Sequence, residues 1–343
     1  MSEAERFQRG IANAVDVCMA VSGEDRVLVT TDQVTENIGR SLADRAKQTG
    51  AEVKLVYLED YGDRPLTEVP EAMIADAVNF VPTVTFFAAS GQAGEVKMRM
   101  GSTLLLRQEL DRLEAEHPRR AHMIGITRRL ILEGMNADYQ QIHDLTMQVL
   151  KRVENARSIR VTSGKGSDLT ATFNPEYRWV PCHGLYHEQG EGGNLPEGEV
   201  FTCPETVNGV IVADVLGDYF SPKYGVLDQP VRFEIRDGLA AKVSCEDSRL
   251  EEEILAYLNS AKHGSRAGEF AIGTNTAVKA LSGNLLQDEK IPGIHIAFGN
   301  PIGNETGADW TSDVHIDVIP TDCTIWVDDQ LLLQDGEFQT EDN

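Results

Sequence analysis

The first 126 residues alternate between short apolar runs and helical patterns, and this alternation constrains the fold more than any other feature of the sequence. The apolar runs have the length of buried strands, and the helical stretches carry their apolar residues on one face. Such alternation is typical of an open, doubly wound parallel sheet. After a short helix within 1–24, it predicts strands at 26–32, 53–58, 83–89 and 122–126, and helices at 36–50, 71–80, 104–116 and 128–155.

The second half of the chain has a different pattern, with many β-favouring runs and one clear helix at 249–261. Residues 158–174 predict a β-hairpin that turns at Gly164–Gly166. Because 343 residues are too many for one ordinary core, we expect two domains. These are an α/β domain at 1–156 and a mostly β metal-site domain with an inserted helix at 157–343. The acidic end from Gly336 to Asn343 is predicted to fray.

Charge and composition exclude several partners. The net charge of −24 argues against a nucleic acid and against an anionic membrane surface, since both attract basic proteins. The five scattered cysteines contain no C-x-x-C pair, and MSEAERFQRG lacks the apolar core of a signal peptide. We therefore expect a reduced, cytoplasmic protein. The loop TTDQVTEN after the first predicted strand lacks the glycines of a nucleotide-binding turn.

The stretch 294–329 contains the residues most suited to chemistry. Side chains alternate along a strand, so His315 and Asp317 of VHIDV point the same way while their apolar neighbours point into a core. An imidazole beside a carboxylate is a good beginning for a divalent metal site. The same pair could equally be a simple hydrogen-bonded pair without a metal.

Three earlier segments add residues of the same chemical types. Glu199 begins an apolar run after a Pro-Gly turn, Glu269 follows a glycine, and His295 lies in the run IHIAFG. Three carboxylates and two imidazoles suit a pair of divalent ions such as Zn, Mn or Co, with one carboxylate bridging them. Two such ions can bind a hydroxide and polarise a carbonyl, which is hydrolytic chemistry.

The segments NLPEGEVFTCPE, GEFAIGTN, IHIAFG and VHIDV resemble, in this order, the motifs of the thermophilic metallo-aminopeptidase family that includes aminopeptidases T and S. The resemblance implies a cytosolic, dimeric exopeptidase that acts on a short peptide or a small amide at a dinuclear centre. It also implies five metal ligands, which are Glu199, Glu269, His295, His315 and Asp317. The two glutamates would in addition be catalytic, because they either bridge the ions or shuttle a proton. One departure is Ile302, which stands where the family has a tyrosine.

A second resemblance points to different chemistry. The acidic segment WVDDQ at 326–330 and the preceding strand are similar to those of the 2,5-dihydroxypyridine 5,6-dioxygenases. That family implies one Fe(II) held by two histidines and an aspartate, two of which would correspond to His315 and Asp317. The remaining histidine would fall within GEFAIGTN, which contains none, so only His295 is available to substitute for it in space.

Two further histidines lie in CHGLYHE, immediately before the segment that contains Glu199. Gly184 and the flanking Pro181 disfavour a helix here, so His183 and His187 do not form a helical metal-binding face. They are candidates for contact with a small-molecule or peptide substrate, or else solvated loop histidines.

Overall fold

The computed structural model describes residues 1–217 and 219–339, and the chain packs as two compact units. Unit 1 comprises Met1–Gln141 and Gly184–Glu197, and unit 2 comprises Ile142–His183 and Gly198–Asn343. This division differs from a single boundary at residue 156 in two places. It begins unit 2 inside a helix, and it returns the segment 184–197 to unit 1, where that segment adds a strand to the sheet.

The secondary structure follows the two halves of the sequence. The strands are β1 (Arg26–Thr31), β2 (Glu52–Tyr57), β3 (Val84–Ala88), β4 (Arg119–His122), β5 (Ser158–Ser163), β6 (Asp168–Phe173), β7 (Val180–Cys182), β8 (Gly192–Asn194), β9 (Glu199–Thr202), β10 (Pro204–Leu216), β11 (Val226–Arg236), β12 (Leu239–Ser244), β13 (Ala267–Gly273), β14 (Gly293–Gly299), β15 (His315–Ile319), β16 (Cys323–Val327), β17 (Gln330–Gln334) and β18 (Glu337–Phe338). The α-helices are α1 (Glu3–Ala12), α2 (Glu36–Gln48), α3 (Glu71–Phe80), α4 (Val96–Arg112), α5 (Arg128–Leu132), α6 (Tyr139–Val153), α7 (Ser221–Tyr224), α8 (Ser248–Asn259), α9 (Leu285–Asp288) and α10 (Gly303–Thr306).

Unit 1 contains the predicted parallel sheet, with strand order β2-β1-β3-β4-β8. All four strand pairings are parallel. Five consecutive buried residues in β1 show that this strand is covered on both faces, as a doubly wound sheet requires. The expected α/β fold class is therefore confirmed. The fifth strand, β8, lies in a glycine-rich stretch that the sequence analysis treats as a loop.

Two elements of unit 1 lie earlier in the chain than expected. Helix α4 begins at Val96 rather than near 104, and its Gly101 lies so close to the Val69 side chain that a Cβ there would contact it. Strand β4 ends at His122 instead of beginning there. Its sequence, RRAH, is too polar to predict a buried strand. Arg119 is nevertheless buried, and it forms an ion pair with Asp25.

The helical pattern predicted at 128–155 is interrupted. Helix α5 ends at Leu132, a short 3₁₀ turn spans Gly134–Asn136, and α6 begins at Tyr139. The Asp138 carboxylate accepts hydrogen bonds from the amides of Gln140 and Gln141, which satisfies donors that the first turn of a helix leaves free. A new helix therefore starts where periodicity alone predicts continuation.

Unit 2 is built on a 13-stranded sheet. Eleven of its strands follow the order β18-β17-β16-β5-β6-β10-β15-β14-β13-β9-β7, and the other two are β11, which pairs with β10, and β12, which pairs with β11. Its pairings are antiparallel, which agrees with the β-rich pattern. The predicted hairpin is present as β5 and β6, and the predicted helix is α8. The chain end is ordered further than expected, because Glu337–Phe338 pairs with β17; residues 340–343 lie outside the described residues.

All five cysteines are free thiols, as expected from their spacing. Among the residues described, no helix has both the length and the apolar character needed to cross a membrane.

Candidate metal centre

Four neighbouring strands bring the five predicted residues onto one face of the unit 2 sheet. Strands β9, β13, β14 and β15 contribute them, one each from the first three and two from the last: Glu199, Glu269, His295, His315 and Asp317. Side chains on the opposite face of three of these strands belong to the apolar core; they include Phe270, Ile272, Ile294, Ile296, Phe298, Ile316 and Val318. The alternation along each strand therefore separates the polar cluster from the core.

The register of these strands leaves open space within the cluster. Ala297 of β14 pairs with Glu269 on one side and with Asp317 on the other. Ala271 pairs with His295. Directly paired residues share a face, so two methyl side chains form the floor between the longer polar groups. Space of this kind can admit an ion.

The donor atoms converge at separations that suit one divalent ion. His295 Nε2 lies 3.5 Å from Glu269 Oε1 and 3.7 Å from Asp317 Oδ1. His315 Nε2 lies 3.4 Å from Glu269 Oε2 and 3.4 Å from Asp317 Oδ1. Ligands bonded about 2.0–2.2 Å from a common ion are roughly 3.0–3.6 Å from one another in octahedral or tetrahedral geometry. Glu269, His315 and Asp317 therefore fit one metal ion, and Asp317 also belongs to a second set of ligand atoms, with His295 and Glu289.

Most of this cluster is buried. The side chains of Glu199, Glu269, His295 and Asp317 are each less than one-tenth exposed, whereas His315 is 30% exposed and marks the open side. Glu199 Oε2 is buried without a hydrogen-bond partner among the described residues, and it lies 4.0 Å from His295 Nε2. A buried carboxylate oxygen of this kind normally has a partner, such as a metal ion or an ordered water.

The backbone orients His315. Its Nδ1 donates a hydrogen bond to the carbonyl of Asn300 at 3.0 Å, which leaves Nε2 directed at the carboxylates. Metal-binding histidines commonly use one ring nitrogen in this way. Gly299, paired with His315, has φ of +107°, and a Cβ on it would collide with the Val314 carbonyl. A glycine is required for this close approach.

The carboxylates also hold both imidazoles in their charged form in the metal-free chain. Burial disfavours the charged ring of His295, but hydrogen bonding to Glu269 and the nearby negative charges outweigh this and raise its pKa to about 9. Burial is likewise outweighed at His315, where Asp317 and Glu269 raise the pKa to about 10. Burial would raise the pKa of Asp317, yet His315 and His295 lower it to about 2.

Two charged residues that the sequence analysis missed adjoin the cluster. Lys290 is fully buried, and its Nζ lies 2.5 Å from Glu199 Oε1 and 2.9 Å from Glu289 Oε1. Glu289, His295 and Asp317 also place one ligand atom each within 4.8 Å of one another, so they form a second candidate set of metal ligands. The run DEK at 288–290 has the composition of a solvated surface. The one sequence feature that associates it with the cluster is its position just before the strand that contains His295.

The loop that carries Lys290 is fixed by hydrogen bonds. The Asp288 carboxylate accepts from the Ser282 and Gly283 amides at 2.7 Å each, and the Lys290 carbonyl accepts from the Asn275 amide at 2.9 Å. A Cβ on Gly273 would contact the Lys290 backbone, so a glycine there permits the approach. The lysine is therefore held by its backbone as well as by its ion pairs.

The two loop histidines have separate surroundings. The His183 ring packs edge-on against His143 with a centroid separation of 4.7 Å, within unit 2. His187 belongs to unit 1, where its Nε2 lies 2.8 Å from the Val17 carbonyl. A substrate contact by either residue stays a prediction.

Ile302 lies in the loop between β14 and β15, with φ of +52° and ψ of +50°. A β-branched residue is unusual in this left-handed conformation. The Ile302 amide donates to the Asn300 side chain at 3.1 Å, and the carbonyl of the same asparagine accepts from His315. The loop conformation is thus linked to the orientation of one of the cluster histidines.

A buried face of histidines and carboxylates on this scaffold defines a metalloenzyme-like fold. A family model described as NicX, 2,5-dihydroxypyridine 5,6-dioxygenase, matches residues 7–269, which is more than half of the chain. The chain belongs to this family. The matched region includes Glu199 and Glu269 and ends before His295, His315 and Asp317. No curated protein sequence matches the chain.

Solved structures from both of the families that the sequence resembles share the fold. The structure of a 2,5-dihydroxypyridine dioxygenase from Pseudomonas putida KT2440 is 15% identical, with a TM-score of 0.71 over 100% of this chain and 99% of that chain. Wild-type AmpT from Thermus thermophilus is 16% identical, with a TM-score of 0.69 over 98% of this chain and 100% of that one. At these identities the similarity establishes the fold alone.

Proposed function

We propose that this chain is a mononuclear, Fe(II)-dependent dioxygenase that opens the ring of a hydroxylated pyridine or a similar hydroxylated aromatic compound. The observation that carries the proposal is the position of Asp317 Oδ1, which lies 3.4 Å from His315 Nε2 and 3.7 Å from His295 Nε2. Two histidines and one carboxylate are the ligand set of non-haem Fe(II) oxygenases, and Asp317 is the carboxylate that both histidines approach. The family match supports the same chemistry.

His295 can take the place of the histidine that the dioxygenase family has in an earlier segment. The segment GEFAIGTN contains no histidine, and its Glu269 lies between the two imidazoles instead. The neighbouring strand supplies the second imidazole, because His295 is paired with Ala271, two residues after Glu269. The ligand set would then be His295, His315 and Asp317, with Glu269 as an additional carboxylate.

When bound, Fe(II) would supply the redox chemistry that O₂ requires and leave coordination positions open. The protein residues have separate roles in this proposal. The exposed side of His315 marks the entrance, and the methyl groups of Ala271 and Ala297 leave room beside the ion. Glu199 Oε2 is the proton acceptor for a ring hydroxyl, since it is buried, faces His295 and has no hydrogen-bond partner among the described residues.

A second candidate is a dinuclear hydrolase for a peptide or another amide, with Zn, Co or Mn. The specific observation in its favour is a second possible ligand set, in which Glu289 joins His295 and Asp317. It shares Asp317 with the set of Glu269 and His315, as a bridging carboxylate would. The fold similarity to the aminopeptidase AmpT supports this alternative.

The deciding experiment combines metal analysis with two activity assays. Protein purified anaerobically is loaded with Fe(II), and O₂ uptake is followed with 2,5-dihydroxypyridine and related hydroxylated rings. We expect ring-dependent O₂ uptake that His295→Ala and His315→Ala abolish, while a surface variant, Lys97→Ala, retains it. Amide and dipeptide hydrolysis with Zn, Co or Mn, without any ring-dependent O₂ uptake, would replace this proposal with the hydrolase.

We further propose that the enzyme works in the cytoplasm as a homodimer. The five free thiols support a reducing compartment. The dimer rests on the aminopeptidase resemblance, and light scattering on the purified protein tests it. A monomer at micromolar concentration would contradict it.

A further inference from the structure

Lys290 has an unusual position for a lysine. Its side chain is 1% exposed, and it contacts two carboxylates at the inner end of the metal-ligand cluster. Buried lysines occur in proteins when they are paired, and this one is paired with residues that adjoin the candidate ligands. We propose that Lys290 supplies the second positive charge of the centre, in the place where a dinuclear enzyme would hold a second metal ion.

The net charge of the centre depends on how many ions it holds. Four carboxylates meet at the centre, namely those of Glu199, Glu269, Glu289 and Asp317. One divalent ion and one ammonium group together offset three of these four negative charges. Two divalent ions and the ammonium group would leave one positive charge in excess, against one negative charge in excess with a single ion, so the two states differ in the sign of the net charge and not in its size.

Contact geometry supports the assignment of Lys290. The second possible ligand set uses Glu289, and Glu289 Oε1 is 2.9 Å from Lys290 Nζ. Glu199 Oε1 is 2.5 Å from the same nitrogen. An ion bound between these two glutamates would have to displace the ammonium group, whose backbone is fixed by the loop described above.

A consequence follows for Glu199. With Oε1 engaged by Lys290, this residue presents only Oε2 toward His295. The lysine thus orients one carboxylate oxygen toward the open part of the site and keeps the residue from bridging two ions. Lys290 is a positioning residue in this arrangement, because it acts through Glu199.

The test is a count of bound metal ions, which does not depend on turnover. Metal-free protein is titrated with Co²⁺ under calorimetry and visible spectroscopy, and bound metal is checked by elemental analysis. We expect about one ion per wild-type chain. Lys290→Met keeps the length of the side chain but removes the charge and its contacts to Glu199 and Glu289, so about two ions per chain are expected. The double variant Lys290→Met/Glu199→Gln lacks one of those carboxylates and should return to about one ion.

The inference rests on the proposed function only in requiring a metal at the centre. Two ions in the wild-type chain would overturn it, as would one ion in a folded Lys290→Met variant. If that variant does not fold, the wild-type count still decides, because saturation with two Co²⁺ ions refutes the role of Lys290. One ion with no O₂ chemistry would refute the proposed reaction and leave the assignment of Lys290 standing.

Discussion

Metal binding by this chain should release about two protons near pH 8. The pKa of His295 is raised to about 9 and that of His315 to about 10 in the metal-free chain. At pH 8 these rings are about nine-tenths and almost fully protonated, respectively. A metal ion binds the neutral imidazole, so both protons must leave. Asp317, whose pKa is lowered to about 2, has no proton to release.

The magnitude follows from the number of protons. Each released proton makes the apparent affinity rise about tenfold per pH unit, or about 1.4 kcal/mol. Two protons therefore predict a rise of about 100-fold between pH 7 and pH 8, which is about 2.7 kcal/mol. The rise should flatten as the pH passes the histidine pKa values of about 9 and 10, where the protons are already lost.

Calorimetry in buffers with different ionisation enthalpies measures this release directly. The slope of the observed binding enthalpy against the buffer enthalpy gives the number of protons. His315→Asn, which keeps a hydrogen-bonding side chain without a titrating ring, should lower that number by about one. A wild-type slope near zero, together with an affinity that does not change with pH, would refute the electrostatic account of the site.

Three further predictions test the scaffold. Arg64→Ala should lower the free energy of unfolding by about 3–5 kcal/mol, because it removes the positive charge paired with the buried carboxylates of Asp32 and Glu95. Lys97→Ala, in an exposed ion pair, should change it by less than about 1 kcal/mol, and urea unfolding measures both values. Burial and the nearby arginines lower the pKa of His122 to about 4. The contribution of this residue to folding stability is therefore fully present above its unfolded pKa and is lost as the pH falls through about 4. His122→Leu should make stability less dependent on pH in this range. Ala297→Val should fill the space between the candidate ligands and weaken metal binding at least about tenfold. Ala213→Val changes an equally buried alanine in the core, so it should lower the unfolding temperature without changing metal affinity.

Local patterns in the sequence predict much of this centre. The alternation in VHIDV correctly places His315 and Asp317 on one face and Ile316 and Val318 in the core. The parallel sheet of unit 1 is likewise predicted, because its buried strands are separated by helices with clear periodicity. Short-range periodicity succeeds here since each element buries one continuous apolar face.

The remaining features depend on contacts between distant parts of the chain. Strand β8 has almost no side chains to pack, and it is a strand because its backbone pairs with β4. Lys290 resembles a surface residue in its local sequence, and only its approach to Glu199, 91 positions earlier, explains its burial. Neither contact can be found from composition or spacing.

The separation of faces also explains how one scaffold can serve two kinds of chemistry. The core face of β13, β14 and β15 is apolar and fully packed, so its residues are constrained by the fold. The opposite face contacts the centre, and a change there alters charge and ligand type without opening a cavity in the core. Glu269 lies on this face, and Lys290 approaches the centre from the loop before β14. Fold similarity to a dioxygenase and to AmpT is therefore expected whichever reaction this chain performs, and a count of bound ions tests which of the two proposed functions applies.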